Sequence, residues 1–149
     1  MYAIERKVGI EAIIRASRLC QRVFKQLVQG ETVTKADNSP VTSKCVWIVP
    51  SRHPLLLAES VHCIVADYGA QAVVNSILQR HFSYPIVGEE DASDLRKDPT
   101  LHAKVTELAN SVLDKELSPD QLLTSIDAGT FTGGKTGRFW TLDPIGCVS

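Results

Sequence analysis

Runs of lysine and arginine are absent from this sequence, and there is no surplus of positive charge. Sixteen Lys and Arg stand against 17 Asp and Glu, for a net charge of −1. Tracking a nucleic-acid backbone takes a basic stripe that neutralises phosphates, so nucleic acid is not an expected partner. Long apolar runs are missing too. The stretch 45–66 is apolar on average but is broken by Pro50, Arg52, His53, Pro54, Glu59 and His62. No span of about 18 apolar residues is left to cross a bilayer, and no membrane partner is expected. Cysteine is sparse: Cys20, Cys45, Cys63 and Cys147 show no C-x-x-C spacing, which argues against a disulfide framework. The opening Met-Tyr-Ala-Ile-Glu-Arg-Lys has no apolar core of the secretory kind, so the expected setting is cytoplasmic. There are no internal repeats.

What remains is ordinary globular composition, 44% hydrophobic and 22% charged over 149 residues. That length suits one domain burying roughly 70% of its unfolded surface. A first amphipathic helix is expected from Ile13, Ala16, Cys20, Val23 and Leu27, with Leu19, Phe24 and Val28 widening the stripe and Gly30 as a stop. A polar loop follows over 34–42. Residues 43–64 show no clean helical or strand period. Asp67 is placed to N-cap a second helix with Ala70, Val73, Val74, Ile77 and Leu78 on one face. Tyr84-Pro85-Ile86-Val87 reads as a short strand delivering Gly88-Glu89-Glu90-Asp91. Asp98-Pro99 opens a third helix with Leu101, Val105, Leu108, Ala109 and Val112 as its stripe. Ser118-Pro119-Asp120-Gln121 is a capping box for a fourth. A glycine-rich loop, 129–137, leads into a last strand over 138–143.

Asp37, Glu89 and Asp143 are the acidic positions that carry chemistry. Glu89 and Asp143 sit at expected strand ends, where side chains can converge on one cleft. Mg²⁺ prefers carboxylate oxygens together with water and phosphate, and two such ions serve phosphate-ester hydrolysis. Acidic residues at strand ends are also common as plain solvated loop residues, so spacing alone does not decide. Asp67 reads as a helix cap rather than a ligand. Gly129-Thr-Phe-Thr-Gly-Gly-Lys135-Thr136 fits the Walker A pattern, but a phosphate loop follows a strand and opens a helix, whereas here a helix precedes and a strand follows. Cys45, His53, His62 and Cys63 have no zinc-type spacing. His81 and His102 read as helix-surface residues. Phe139 and Trp140 read as core anchors, and Lys135 and Arg138 as solvated or phosphate-facing charges.

Four segments, K-A-D-N-S-P-V-T (35–42), V-A-D-Y-G-A-Q-A-V-V (65–74), I-V-G-E-E-D (86–91) and G-G-K-T-G-R-F-W-T-L-D-P-I (133–145), together resemble the 3'(2'),5'-bisphosphate nucleotidases of the inositol monophosphatase superfamily, the fungal ones in particular. The resemblance implies an α+β fold, here the incomplete N-terminal part of the inositol-monophosphatase-like layered α/β sandwich, with helices on a mainly antiparallel sheet. It implies a Mg²⁺-dependent, lithium-sensitive phosphatase acting on a small nucleotide, adenosine 3',5'-bisphosphate or its sulfated relative. An inositol phosphatase of the same superfamily and a non-catalytic fragment are the alternatives. By the same resemblance Glu89 and Asp143 would be metal ligands, Ile145 would add a backbone carbonyl, and Asp37 would orient or deprotonate the attacking water. Oligomeric state stays open.

The pattern breaks twice. The resemblance calls for a metal-binding aspartate where Gly146 stands and a threonine where Val148 stands, so this chain is expected to be truncated and inactive. Removing 43–64 joins Thr42 to Val65 and restores N-S-P-V-T-V-A-D-Y-G-A-Q without interruption. Ser43-Lys44 can be encoded AGT-AAG and Val148-Ser149 GTA-AGT, both resembling splice donors. The expectation is a domain over 1–149 interrupted by a translated intron at 43–64. A genuine surface insertion is the other reading.

Overall fold

The computed structural model describes residues 2–28 and 55–143. Their order is α1 (Ala3–Val28), α2 (Leu55–His81), β1 (Ile86–Val87), α3 (Ser93–Lys97), α4 (Pro99–Asn110), α5 (Pro119–Asp127) and β2 (Trp140–Thr141). The described residues are mostly helical with one small sheet, compatible with part of an α+β fold.

α2 is the centre of the packing. From Val65 to Leu78 nearly its whole circumference is buried, including Ala66, Ala70, Ala72, Val73, Val74 and Ile77. A helix covered on nearly all sides lies inside the packing, and α1, α4 and α5 all pack against this one. The expected face of Ala70, Val73, Val74, Ile77 and Leu78 is buried as read. Its start differs. Residues 55–64, expected to have no helical period, belong to α2. Asp67 lies well inside the helix and cannot be its N-cap.

α1 runs where expected but is rotated. Its buried positions are Val8, Ala12, Ala16, Leu19 and Val23, while Ile13 is 61% and Phe24 65% exposed. Leu19 on this face seats against Gly69 of α2, where a Cβ would lie 2.9 Å from its Cδ1, and that contact fixes which face of α1 turns inward. Gly30, the loop at 34–42 and residues 43–54 lie outside the described residues.

The short helices follow their local signals. Asp98 caps α4, its side chain accepting from the Thr100 and Leu101 N–H groups, with proline at the first turn. Leu101, Val105, Leu108, Ala109 and Val112 are all buried. Ser118 and Gln121 form a complete capping box on α5. α3, a single short turn around the buried Leu95, carried no sequence signal of its own.

β1 and β2 pair in parallel, Ile86 with Trp140 and Val87 with Thr141. Among the described residues the expected antiparallel character survives only as a bridge between Val87 and Thr130. A parallel pair needs a long crossover between its strands, and α3, α4 and α5 supply it. β1 is thereby held on both edges. Gly88 N–H donates to the Gly129 carbonyl at 2.7 Å and Leu142 N–H to the Val87 carbonyl at 2.8 Å.

Candidate functional site

Because the strands are parallel and in register, the residues after each of them leave on the same side. Glu89 and Asp143 therefore line one open cleft of about 500 Å³, with Val87, Gly88, Thr141 and Leu142 as the rest of its wall. The sequence suggested that acids at these two strand ends can converge on one cleft, and Glu89 and Asp143 do line the same one. Both are exposed. Asp37 and Ile145 lie outside the described residues. Among the described residues no three metal-ligating side chains converge on one point.

A further carboxyl, on α2, feels the charge of these acids. Asp67 is half-buried, and its pKa is raised from 3.8 to about 7, first by burial and then by the charges of Glu90, Glu89 and Asp143. A carboxyl loses solvation on burial, and nearby negative charge further disfavours its ionised form. Asp67 thus belongs to the electrostatic surroundings of the cleft, a role the cap reading missed. The sequence did hold a signal: in A-D-Y-G-A-Q the Asp and Gln are four apart, one above the other on a single helix face. The Tyr68 hydroxyl is pushed up to about 12, by burial and then by the charges of Glu90, Asp94, Asp91 and Asp67.

Gln71 is the other member of that face, and it is fully buried. Its Oε1 accepts from the backbone N–H of Glu89 at 3.2 Å and of Glu90 at 3.0 Å. Its Nε2 donates to the carbonyl of Glu90 at 2.6 Å and of Ile126 at 3.0 Å. The carboxamide fits because Gly88 and Gly129 carry no side chain. A Cβ on Gly88 would lie 2.7 Å from Oε1, and one on Gly129 would lie 2.8 Å from Nε2.

Behind the acids, Asp127 at the end of α5 accepts from Ala92 N–H at 2.8 Å and pairs with Arg96. That contact fixes the chain just after Gly88-Glu89-Glu90. Trp140 packs beside Phe82, with ring centroids 5.6 Å apart, and is partly buried as a core anchor. Phe139 is not an anchor: it is 37% exposed and leans on Phe131. Arg138 bonds the Tyr84 hydroxyl at 3.2 Å and lies over the Tyr2 ring.

The Walker-like loop does follow a helix, α5, and lead into a strand, β2, the reverse of a phosphate cradle. His81 is exposed at the end of α2, and His102 on α4 sits against the Pro119 carbonyl at 3.1 Å. Cys45 and His53 lie outside the described residues, whereas His62 and Cys63 fall within α2. No helix among the described residues is long and apolar enough to cross a membrane.

Comparison with known proteins gives a consistent set of relatives. The chain is 39% identical to 3'(2'),5'-bisphosphate nucleotidase 1 of Arabidopsis thaliana over 97% of its own length. It is 36% identical to the 3'(2'),5'-bisphosphate nucleotidase of Schizosaccharomyces pombe over 95% of its length. It is 35% identical to the protein of that name from Emericella nidulans over 97%. Plant and fungal proteins match alike. In each case the chain spans 38% of the relative's length. No protein-family model matches the chain.

Proposed function

The chain is a sequence relative of the 3'(2'),5'-bisphosphate nucleotidases, and from that kinship we propose that it carries part of the catalytic site of a Mg²⁺-dependent phosphatase. The substrate is adenosine 3',5'-bisphosphate, or its sulfated relative, and the reaction removes the 3'-phosphate. The fold in this reading is the N-terminal part of the inositol-monophosphatase-like sandwich. Nucleotide turnover linked to sulfate assimilation, in the cytoplasm and sensitive to lithium, belongs to the same proposal. The observation that carries it is the convergence of Glu89 and Asp143 on one cleft.

The residues present suit a hard divalent cation in part. Two exposed carboxylates share the cleft, and a further acid, Asp67, is held protonated toward neutral pH by burial and then by the negative charge around it. A cation would relieve that surplus. Glu89 and Asp143 would hold the ion through carboxylate oxygens, Ile145 through its carbonyl, and Asp37 would orient or deprotonate the attacking water. Bound Mg²⁺ supplies charge neutralisation on the phosphate oxygens and a water of lowered pKa. The names of the relatives favour the bisphosphate nucleotide over an inositol phosphate.

A polypeptide of these 149 residues is expected to release no phosphate at an enzymatic rate, because Gly146 has no side chain where the resemblance calls for a carboxylate. A chain extended with the remainder of a relative's sequence, Asp-Gly-Thr restored, should hydrolyse adenosine 3',5'-bisphosphate in preference to inositol monophosphate. Glu89→Gln and Asp143→Asn should each lower its kcat/KM by about a thousandfold, the several kcal/mol expected of a catalytic ion. Full activity in either variant would end the proposal.

A further inference from the structure

We propose that Gln71 is a positioning residue for the cleft: its buried carboxamide clamps the backbone of Glu89 and Glu90 to the end of α5 and so fixes where the Glu89 carboxylate stands. This rests on the metal-site reading above and deepens it. A strand as short as Ile86–Val87 cannot by itself hold the residue that follows it. Beyond Val87 the parallel ladder with β2 has ended, and the next backbone groups need partners from elsewhere. Gly129 takes the N–H of Gly88, and Gln71 supplies partners for Glu89 and Glu90.

One oxygen takes the N–H groups of both Glu89 and Glu90, while the nitrogen of the same amide reaches the Glu90 and Ile126 carbonyls. Four bonds from one fully buried side chain leave the turn no other arrangement that satisfies them. The orientation of the amide is fixed too, since a flip would set its nitrogen against two donors and its oxygen against two acceptors. Gly88 and Gly129 are part of the device, because any Cβ at either position would enter the space of the carboxamide. The side chain arrives from α2, whose neighbouring positions are locked in the core, so the clamp is rigid at its root.

Groups that orient a metal's ligands without touching the metal typically change its affinity by about 10–100-fold when removed. The probe is Mn²⁺, titrated into the 149-residue chain by electron paramagnetic resonance, with amide hydrogen exchange at Glu89 and Glu90 read in parallel. Gln71→Ala is expected to weaken Mn²⁺ binding by about tenfold or more and to release protection at those two amides. Val73→Ala serves as the control for lost stability: Val73 is equally buried on α2 and should lower the melting temperature while leaving Mn²⁺ affinity unchanged. Gly88→Ala should reproduce the Gln71→Ala loss, and combining the two should add little, because the new methyl fills the space the amide vacated.

Unchanged exchange at Glu89 and Glu90 in Gln71→Ala would overturn the clamp itself. Equal Mn²⁺ loss in Val73→Ala would reduce Gln71 to a structural residue and overturn the positioning role. Absence of Mn²⁺ binding by the unsubstituted chain, with both amides still protected, would show that the metal reading has failed while the clamp stands, and the positioning role would fall with it.

Discussion

At Asp67 a half-buried carboxyl meets the charges of Glu90, Glu89 and Asp143, and its pKa rises to about 7. The folded chain holds this proton more tightly than the unfolded one, whose carboxyl titrates near 3.8. Stability linked to Asp67 is therefore fully present at acid pH below that value and is lost as the pH climbs through 7. Asp67→Asn should remove the dependence. Its melting temperature should exceed that of the parent at pH 7.5, with the difference shrinking toward pH 4.5. A difference that is the same at both pH values would contradict this account. The core is simpler. Leu122 is fully buried on α5, and Leu122→Ala should cost about 2–5 kcal/mol in chemical denaturation, from lost transfer energy and the cavity left behind.

Among the elements, α4 and α5 were legible because their signals are local. A capping side chain needs only the next three residues to act, and Asp98 and Ser118 carry theirs with them. Ser118→Ala should lower stability by about 1 kcal/mol, measured by urea unfolding. α1 was legible as a helix but not in its rotation. It carries apolar residues on both faces, Ile10, Ile13, Ile14 and Phe24 exposed and Val8, Ala12, Ala16, Leu19 and Val23 buried, and only packing against the rest of the chain decides between them. The direction of β1 against β2 is also nonlocal, since no residue in either two-residue strand encodes parallel pairing. Gln71 was passed over because a polar residue in an apolar run gives no period, and its partners lie in the turn after β1 and at the end of α5. Glu89 and Asp143 could be placed just past strand ends because those ends can be read from sequence, whereas their role as ligands is implied only by the resemblance. For α2, deleting residues 43–64 removes the helical residues 55–64 yet leaves the buried stretch from Val65 onward intact. The deleted chain should melt no lower than the parent by circular dichroism, and a fall of several degrees would show that the segment supports the fold.

For the molecule as a whole, the rotation of α1 has a surface consequence. Ile10, Ile13, Ile14 and Phe24 are exposed on it, and clustered apolar side chains of this kind promote association. Ile13→Lys combined with Phe24→Glu should leave the melting temperature within a few degrees and reduce light scattering at high concentration. The parallel pairing of β1 and β2 bears on time rather than shape. Strands joined by a tight turn can zip together early, but these two cannot meet until α3, α4 and α5 have bridged them. Contacts between segments distant along the chain close slowly. Glu89 and Asp143 should thus come face to face among the last events of refolding: in pulse-labelling experiments the Trp140 and Leu142 amides should gain protection after those of α4 and α5.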